Sequence, residues 1–306
     1  MAIPRCSTAL SGMVRRSCWA LILTAVAASV VGCGSPQPTG LSTTTSTTSA
    51  TSTTTVRAST TTSTSNPAPV MNYSLYFLRG SYLGVAHRTS AATAAVATAT
   101  LLALFGGPRE AELSAGLSTA IPPGSRLLGI HISSGTATVN FNTAYGTPGE
   151  PGSELARVAQ VVYTLTQFPS ISRVALEIQG STPATFASGA VSLRNPLGRT
   201  DVLGALPAIL VETPAVGDSL HGQLHLSGLA NVFEAQFAVQ LVDANGELLL
   251  DQPVHATAGT GTWGTFNVTF PIAVSTTVQC TLRVFDSSPK DGRPIDEVDV
   301  HIPVGP

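Results

Sequence analysis

The chain has 306 residues, of which 10% are charged and 43% hydrophobic, enough for one large or two ordinary domains. Its formal charge is −2, with 14 Arg and Lys290 as the single lysine. A mildly acidic chain with no Lys/Arg cluster lacks the electrostatic footprint of phosphate-backbone binders, so nucleic acid is excluded as an expected partner.

In chain order, the first signal is the leader. Arg5, Arg15 and Arg16 precede an apolar run from Cys18 to Gly32, and then comes Cys33. Those 15 residues are too few to span a ~30 Å hydrocarbon core but suit the h-region of a secretory signal. Val30-Val31-Gly32-Cys33 resembles the lipobox of bacterial lipoproteins. The resemblance implies cleavage after residue 32, acylation of Cys33 and attachment to membrane lipid on the extracytoplasmic face, with two or more acyl chains for firm anchoring. No acid precedes Cys33, so a mature chain would carry 12 basic against 17 acidic residues, a net −5.

Between Ser42 and Ser65, 20 of 24 residues are Ser or Thr, bracketed by Pro36, Pro38, Pro67 and Pro69. Such a tract cannot bury enough apolar surface to offset its ordering entropy, so residues 33–71 are expected to form a disordered tether spanning ~35 Å as a coil. O-linked sugars on these hydroxyls are a further expectation.

Ordered sequence is expected from residue 72. Alternation of Tyr73, Leu75 and Phe77 predicts a strand, and Leu83–His87 a second. Thr93–Phe105 reads as a helix stopped by Gly106-Gly107-Pro108. Leu128, Ile130 and Ile132, then Ala137, Val139 and Phe141, flank Ser134-Gly135 as a hairpin. Ser153 is expected to cap a helix from Glu154 carrying Leu155, Val158, Val162 and Leu165, and Val174, Leu176 and Ile178 a final strand. Alternating helices and strands predict an α+β domain over 72–180.

Ser74–Leu78, Leu101–Pro108, Thr119–Gly124, Val139–Asn142 and Val161–Pro169 resemble the GerMN sporulation and spore-germination domain. The resemblance covers about Tyr73–Gly180 and implies an extracytoplasmic, often lipid-anchored module with no enzymatic residues to carry over.

Residues 181–208 are expected to be an interdomain linker, and 209–306 an all-β domain. Phe233, Ala235, Phe237, Val239 and Leu241 alternate as one strand, and Asp243–Gly246 makes a hairpin turn into Leu248–Leu250. Thr265–Phe270, Thr277–Phe285 and Val298–Val304 follow, a spacing that predicts an antiparallel sandwich. Pro214–Gly217, Leu226–Gly228, Ala230–Ala235, Thr262–Phe266, Val284–Ser288 and Lys290–Gly292 resemble the immunoglobulin-like domain of bacterial spore germination.

The search for chemistry is largely negative. Gly217-Asp218-Ser219-Leu220 spells the opening block of the GDSL esterases, with Ser219 as nucleophile, but the late Asp-x-x-His pair of that family is missing and a turn explains the glycine. His221 and His225 would share one face of a strand, an incomplete zinc site. Cys280, left without a mature partner, reads as a buried hydrophobe. Asp243, Asn245 and Glu247 lack calcium-loop spacing. Trp263, in a Gly-rich loop, is either a core aromatic or part of a recognition surface. No cofactor, metal or catalytic set is expected. The reading is an anchored, non-catalytic binding or scaffold module of the cell envelope, its partner an envelope protein or peptidoglycan; the alternatives are wall-glycan binding or an envelope hydrolase.

Overall fold

The computed structural model describes residues 69–306. The signal peptide, Cys33 and all but the end of the tether lie outside them. The first strand begins at Val70, so Val70 and Met71, read from sequence as tether, are already paired in a sheet.

In the first domain, β1 (Val70–Arg79) and β2 (Tyr82–Ala91) form a hairpin. Helices α1 (Val96–Phe105) and α2 (Glu110–Ser114) follow, and β3 (Leu117–Ser118) closes a sheet of order β2-β1-β3. A second sheet contains β4 (Leu127–Ser133), β5 (Thr136–Phe141) and β6 (Arg173–Ile178), with β5 and β6 parallel and α3 (Pro151–Leu165) as their crossover. A parallel pair requires such a connection.

Helix α3 starts three residues earlier than the Ser153 cap predicts. Pro151 stands at its first turn, where a missing N–H costs nothing and the ring presets φ, so Glu150 occupies the cap position. Every residue from Ala156 to Leu165 is buried, polar ones included. The helix therefore lies within the core rather than on it. Phe105, Phe141, Tyr145 and Phe186 stack around one end, with adjacent ring centroids 4.1–5.5 Å apart.

The β4 expectation needs correction in another way. A bulge between Leu127 and Gly129 takes Leu128 out of the alternation. Leu128 and Ile132 are 49% and 42% exposed, while Leu127 and Ile130 pack against the first core. The 4-5-6 sheet buries its interior through β5 and β6, leaving β4 as an edge.

Residues 181–208 connect the domains but are not a bare linker. They carry the small hairpin β7 (Thr185–Phe186) and β8 (Val191–Ser192) and a 3₁₀ stretch, Arg199–Ala205. Phe186, Leu193, Leu197, Val202 and Leu206 from this segment are buried in the first core.

The second domain holds β9 (Ile209–Thr213), β10 (Leu220–His221), β11 (Gln223–Ala230), β12 (Gln236–Asp243), β13 (Leu248–His255), β14 (Gly264–Pro271), β15 (Val278–Ser287) and β16 (Pro294–Gly305). Strands β13-β12-β15-β16 form one layer and β14-β11-β9 the other, joined through short β10, which runs parallel to β16 and antiparallel to β11. Inward residues of both layers, among them Leu226, Val239, Leu282 and Ile302, make the core. Phe237 and Phe266 meet edge to face at 4.9 Å. Cys280 is buried there, as expected of a small hydrophobe.

Phe233 and Ala235 leave the predicted strand. They sit in a 3₁₀ turn in which Glu234 and Ala235 have φ of 52° and 58°, and Phe233 is 52% exposed. The loop is held from across the domain. Glu234 N–H donates to Thr260 Oγ1 and Thr260 N–H to the Val232 carbonyl. Gly259 passes so close that a Cβ there would lie 2.5 Å from Ala235 N and Val232 O.

Candidate functional site

The most heavily built region of the molecule is the seam between the domains. It begins with an alternation in β9. Ile209 and Val211 enter the second core, Leu210 enters the first, and Glu212 points at a cation of the first domain. One strand thus serves two cores, which is why Ile-Leu-Val runs without a polar break.

Beyond β9 the chain adds itself to the free edge of β2. His87 N–H donates to the Val216 carbonyl at 2.8 Å, and Ala86 and Val216 pair as a parallel bridge. Gly217 lies against the His87 carbonyl, where a Cβ would come within 2.4 Å. Its φ of 105° turns the chain so that Asp218 faces back. Asp218 Oδ2 accepts from Ala215 N–H at 2.9 Å and pairs with His87 Nδ1 at 2.7 Å. Burial pushes the Asp218 carboxyl up, but these two partners outweigh it and hold the group below the usual aspartate range.

A second tie lies behind the first. Tyr76 on β1 donates its hydroxyl to Glu212 Oε1. Arg199 donates to the same oxygen at 2.8 Å, to Tyr76 Oη at 3.2 Å and to Thr166 Oγ1 at 3.0 Å. Its guanidinium lies 4.6 Å from the Tyr163 ring centroid. Burial of Tyr163 pushes its phenol up to about 12. The Tyr163 hydroxyl, though buried, has no hydrogen-bond partner among the described residues.

Between these ties and the outer end of β16 lies a cavity of ≈ 330 Å³. Leu83, Val85, Ile209, Val211 and Val298 form apolar walls, and Arg79, Tyr82, Asp296 and Glu297 stand at its margin. Arg79 is spent on the Ala115 carbonyl, and Glu297 is paired with Arg283. A site of this kind accommodates an apolar group; it places no nucleophile beside a base.

The residues singled out from sequence distribute as follows. Cys33 lies outside the described residues. Trp263 is half-buried and packs, with Leu229, against the first-domain core, so it belongs to the domain junction. His221 and His225 are not on one strand: Gly222 reverses the chain, leaving His221 on β10 and His225 on β11, bonded to Thr269. Among the described residues no three His, Cys, Asp or Glu side chains cluster as metal ligands. Asp243 closes the hairpin turn by accepting from Asn245 and Glu247 N–H groups.

Ser219 lines one cleft with His87 and Asp218, a juxtaposition invisible in sequence because His87 lies 131 positions from Asp218. Yet His87 spends Nδ1 on Asp218, and Ser219 is not among its hydrogen-bond partners. Sequence reading also missed Arg199, whose segment looked like a linker; beside Arg194 and Asp201 nothing local sets it apart.

Comparison with known families decides what these domains are. Residues 74–183 match the Germane family, described as sporulation and spore germination, and residues 208–293 match the immunoglobulin-like domain of bacterial spore germination. The chain joins these two domains. The seam segment that supplies Arg199, and all of β16, fall outside both matched stretches. Solved structures similar to it include a Clostridium perfringens protein described as a lipoprotein, 20% identical over 43% of this chain and 89% of that one, with a TM-score of 0.33. The first GerMN domain of the sporulation protein GerM from Bacillus subtilis is 25% identical over 42% of this chain and 98% of that one, with a TM-score of 0.35. The tandem GerMN domains of the same protein align over 78% of this chain at 17% identity and a TM-score of 0.39, covering 61% of their own length. No curated protein matches. Among the described residues no helix is long and apolar enough to cross a membrane.

Proposed function

We infer that the protein is an extracytoplasmic lipoprotein, anchored through acylated Cys33, that serves as a non-catalytic binding or scaffold module of the cell envelope in a sporulation- or germination-type role. The observation that carries this reading is the order of parts in one chain: a lipobox at Val30–Cys33, a Ser/Thr tether, then two matched germination-type domains. The tied seam supports it, because a scaffold must hold its binding faces at fixed separation. The partner is an envelope protein or peptidoglycan.

The test is in-cell crosslinking of the full chain followed by pull-down and mass identification, beside a Cys33→Ala variant. A specific envelope protein or attached muropeptides, together with loss of membrane retention in Cys33→Ala, is the expected result. A Cys33→Ala protein that still fractionates with membrane would remove the lipid anchor.

The cleft shared by Ser219, His87 and Asp218 is the observation that favours the hydrolase alternative. A Ser219→Ala variant is expected to keep full activity in cells; loss of activity with unchanged stability would favour hydrolysis.

A further inference from the structure

One buried charge of the second domain has no counter-ion. Asp286, on β15, is 7% exposed, and its Oδ1 accepts from the N–H of the next residue, Ser287, at 2.7 Å. Among the described residues no other group bonds to this carboxylate, and no Arg, Lys or His pairs with it. The domain has no cation to spare. Residues 209–306 contain three, Arg283, Lys290 and Arg293, against 11 acids. Arg283 is held by Glu297, Arg293 lies 3.6 Å from Asp291, and Lys290 stands exposed on the turn between β15 and β16. A carboxylate taken out of water is costly unless it is paired, and here the chain itself supplies no partner.

Asp286 faces a cleft of ≈ 360 Å³, which it lines together with Phe233, Glu234, Gln236, Asp251 and Gln252. No Lys, Arg or His lines it among the described residues. Phe233, 52% exposed, is presented there by the positive-φ turn, which is fixed by bonds to Thr260 and not by the phenyl ring. An exposed ring beside unpaired carboxylates fits a guanidinium, which stacks on an aromatic face and forks a carboxylate. A metal ion does not fit, because no three of the acids converge as ligands.

The charges of the two domains indicate what carries the guanidinium. Residues 72–208 hold eight Arg and six acids, a formal +2, whereas 209–306 stand at −8. Such a second domain repels an anionic lipid surface and attracts a basic protein segment. Pro253, on the neighbouring edge strand β13, obstructs strand addition, which leaves recognition to an inserted side chain.

We propose that the cleft between the Phe233 turn and Asp286 docks an arginine of a basic segment in a partner protein of the envelope. The proposal rests on the scaffold reading above and gives its partner a chemistry. The guanidinium pairs with Asp286 and stacks on Phe233, while Glu234 and Asp251 draw the basic segment in.

A photoreactive residue in place of Gln252, exposed at the cleft, tests this in cells on the full-length, anchored protein. The crosslinked partner peptide, read by mass spectrometry, is expected to carry an Arg within about three residues of the attachment point. Asp286→Asn, whose carbonyl keeps the Ser287 bond, is expected to cut the product roughly tenfold or more. Phe233→Ala is expected to cut it several-fold. The thermal midpoint of Asp286→Asn is expected to be unchanged or raised, since an unpaired buried charge is removed. A lowered midpoint would give Asp286 a structural role and overturn the proposal. So would crosslinks to glycan or lipid, to a peptide without basic residues, or a yield indifferent to Asp286→Asn. A partner caught by general crosslinking but absent at Gln252 overturns this site and leaves the scaffold reading standing; no partner by either route removes both.

Discussion

The two domains handle buried polarity in opposite ways. The first buries Arg88, Thr100, Glu112, Glu154, Arg157, Gln160 and Thr164, whereas among the described residues of the second domain Asp286 alone is a buried polar or charged side chain. The cause lies in the backbone. Ladder pairing satisfies the amides and carbonyls of the second domain, and its charges stay outside, as with Arg283 and Glu297. Long irregular connections in the first domain bring buried carbonyls that only side chains can reach.

Arg88 donates to the carbonyls of Ala103 and Gly107 while paired with Glu112. Arg157 serves the carbonyls of Ala120, Tyr145 and Thr147. Glu154, 0% exposed, accepts from the N–H groups of Gly149 and Ser188 and from the Ser188 hydroxyl. For both acids burial pushes the carboxyl up, and their hydrogen bonds bring it below the ordinary glutamate value. In this molecule buried charge holds loops in place.

That contrast can be broken at several points. The largest effect is expected from Glu112→Ala, which strands Arg88 in the interior and should cost about 3–5 kcal/mol in denaturant unfolding. A loss below 1 kcal/mol would show that the pair is dispensable. Leu282→Ala in the apolar second core should cost about 2–5 kcal/mol through cavity formation, with no pH dependence. Glu154→Ala frees two amides and is expected to cost about 1–3 kcal/mol, with faster amide exchange confined to residues near 149 and 188.

The seam supplies a pH test. Because Asp218 is held below its unfolded pKa, its contribution is fully present above roughly pH 4 and is lost as pH falls through the depressed folded value. Asp218→Asn should flatten that acid limb of the stability curve; an unchanged limb would assign it to other carboxylates. The smallest effect belongs to Arg283→Ala, a solvent-screened pair on the outer face of the second domain, expected at less than about 1 kcal/mol in unfolding.

Much of the architecture was legible in the residues. The Tyr73-Leu75-Phe77 alternation, the Ser134-Gly135 hairpin and the Asp243–Gly246 turn each report a local period or a local φ requirement, and each is where sequence puts it. Phe233 was misread because apolar alternation looks the same in a strand and in a loop whose exposed aromatic happens to keep the period. Leu128 was misread because a bulge between Leu127 and Gly129 breaks the period there, and Ile132 because periodicity states which residues share a face, not whether that face is covered. The seam was illegible altogether: His87, Arg199, Glu212 and Asp218 look like dispersed charges until the chain folds.

By itself, then, the sequence determined the lipobox expectation, the two domain types and most strands and helices, since these depend on composition and on periods of a few residues. Tertiary structure decided which edges stay open, that Trp263 serves the junction, that 181–208 completes the first core, and that β9 belongs to two cores at once. Those features arise from contacts between residues distant in the chain, where local preference carries no information and complementarity of surfaces and the pairing of buried polar groups choose the outcome.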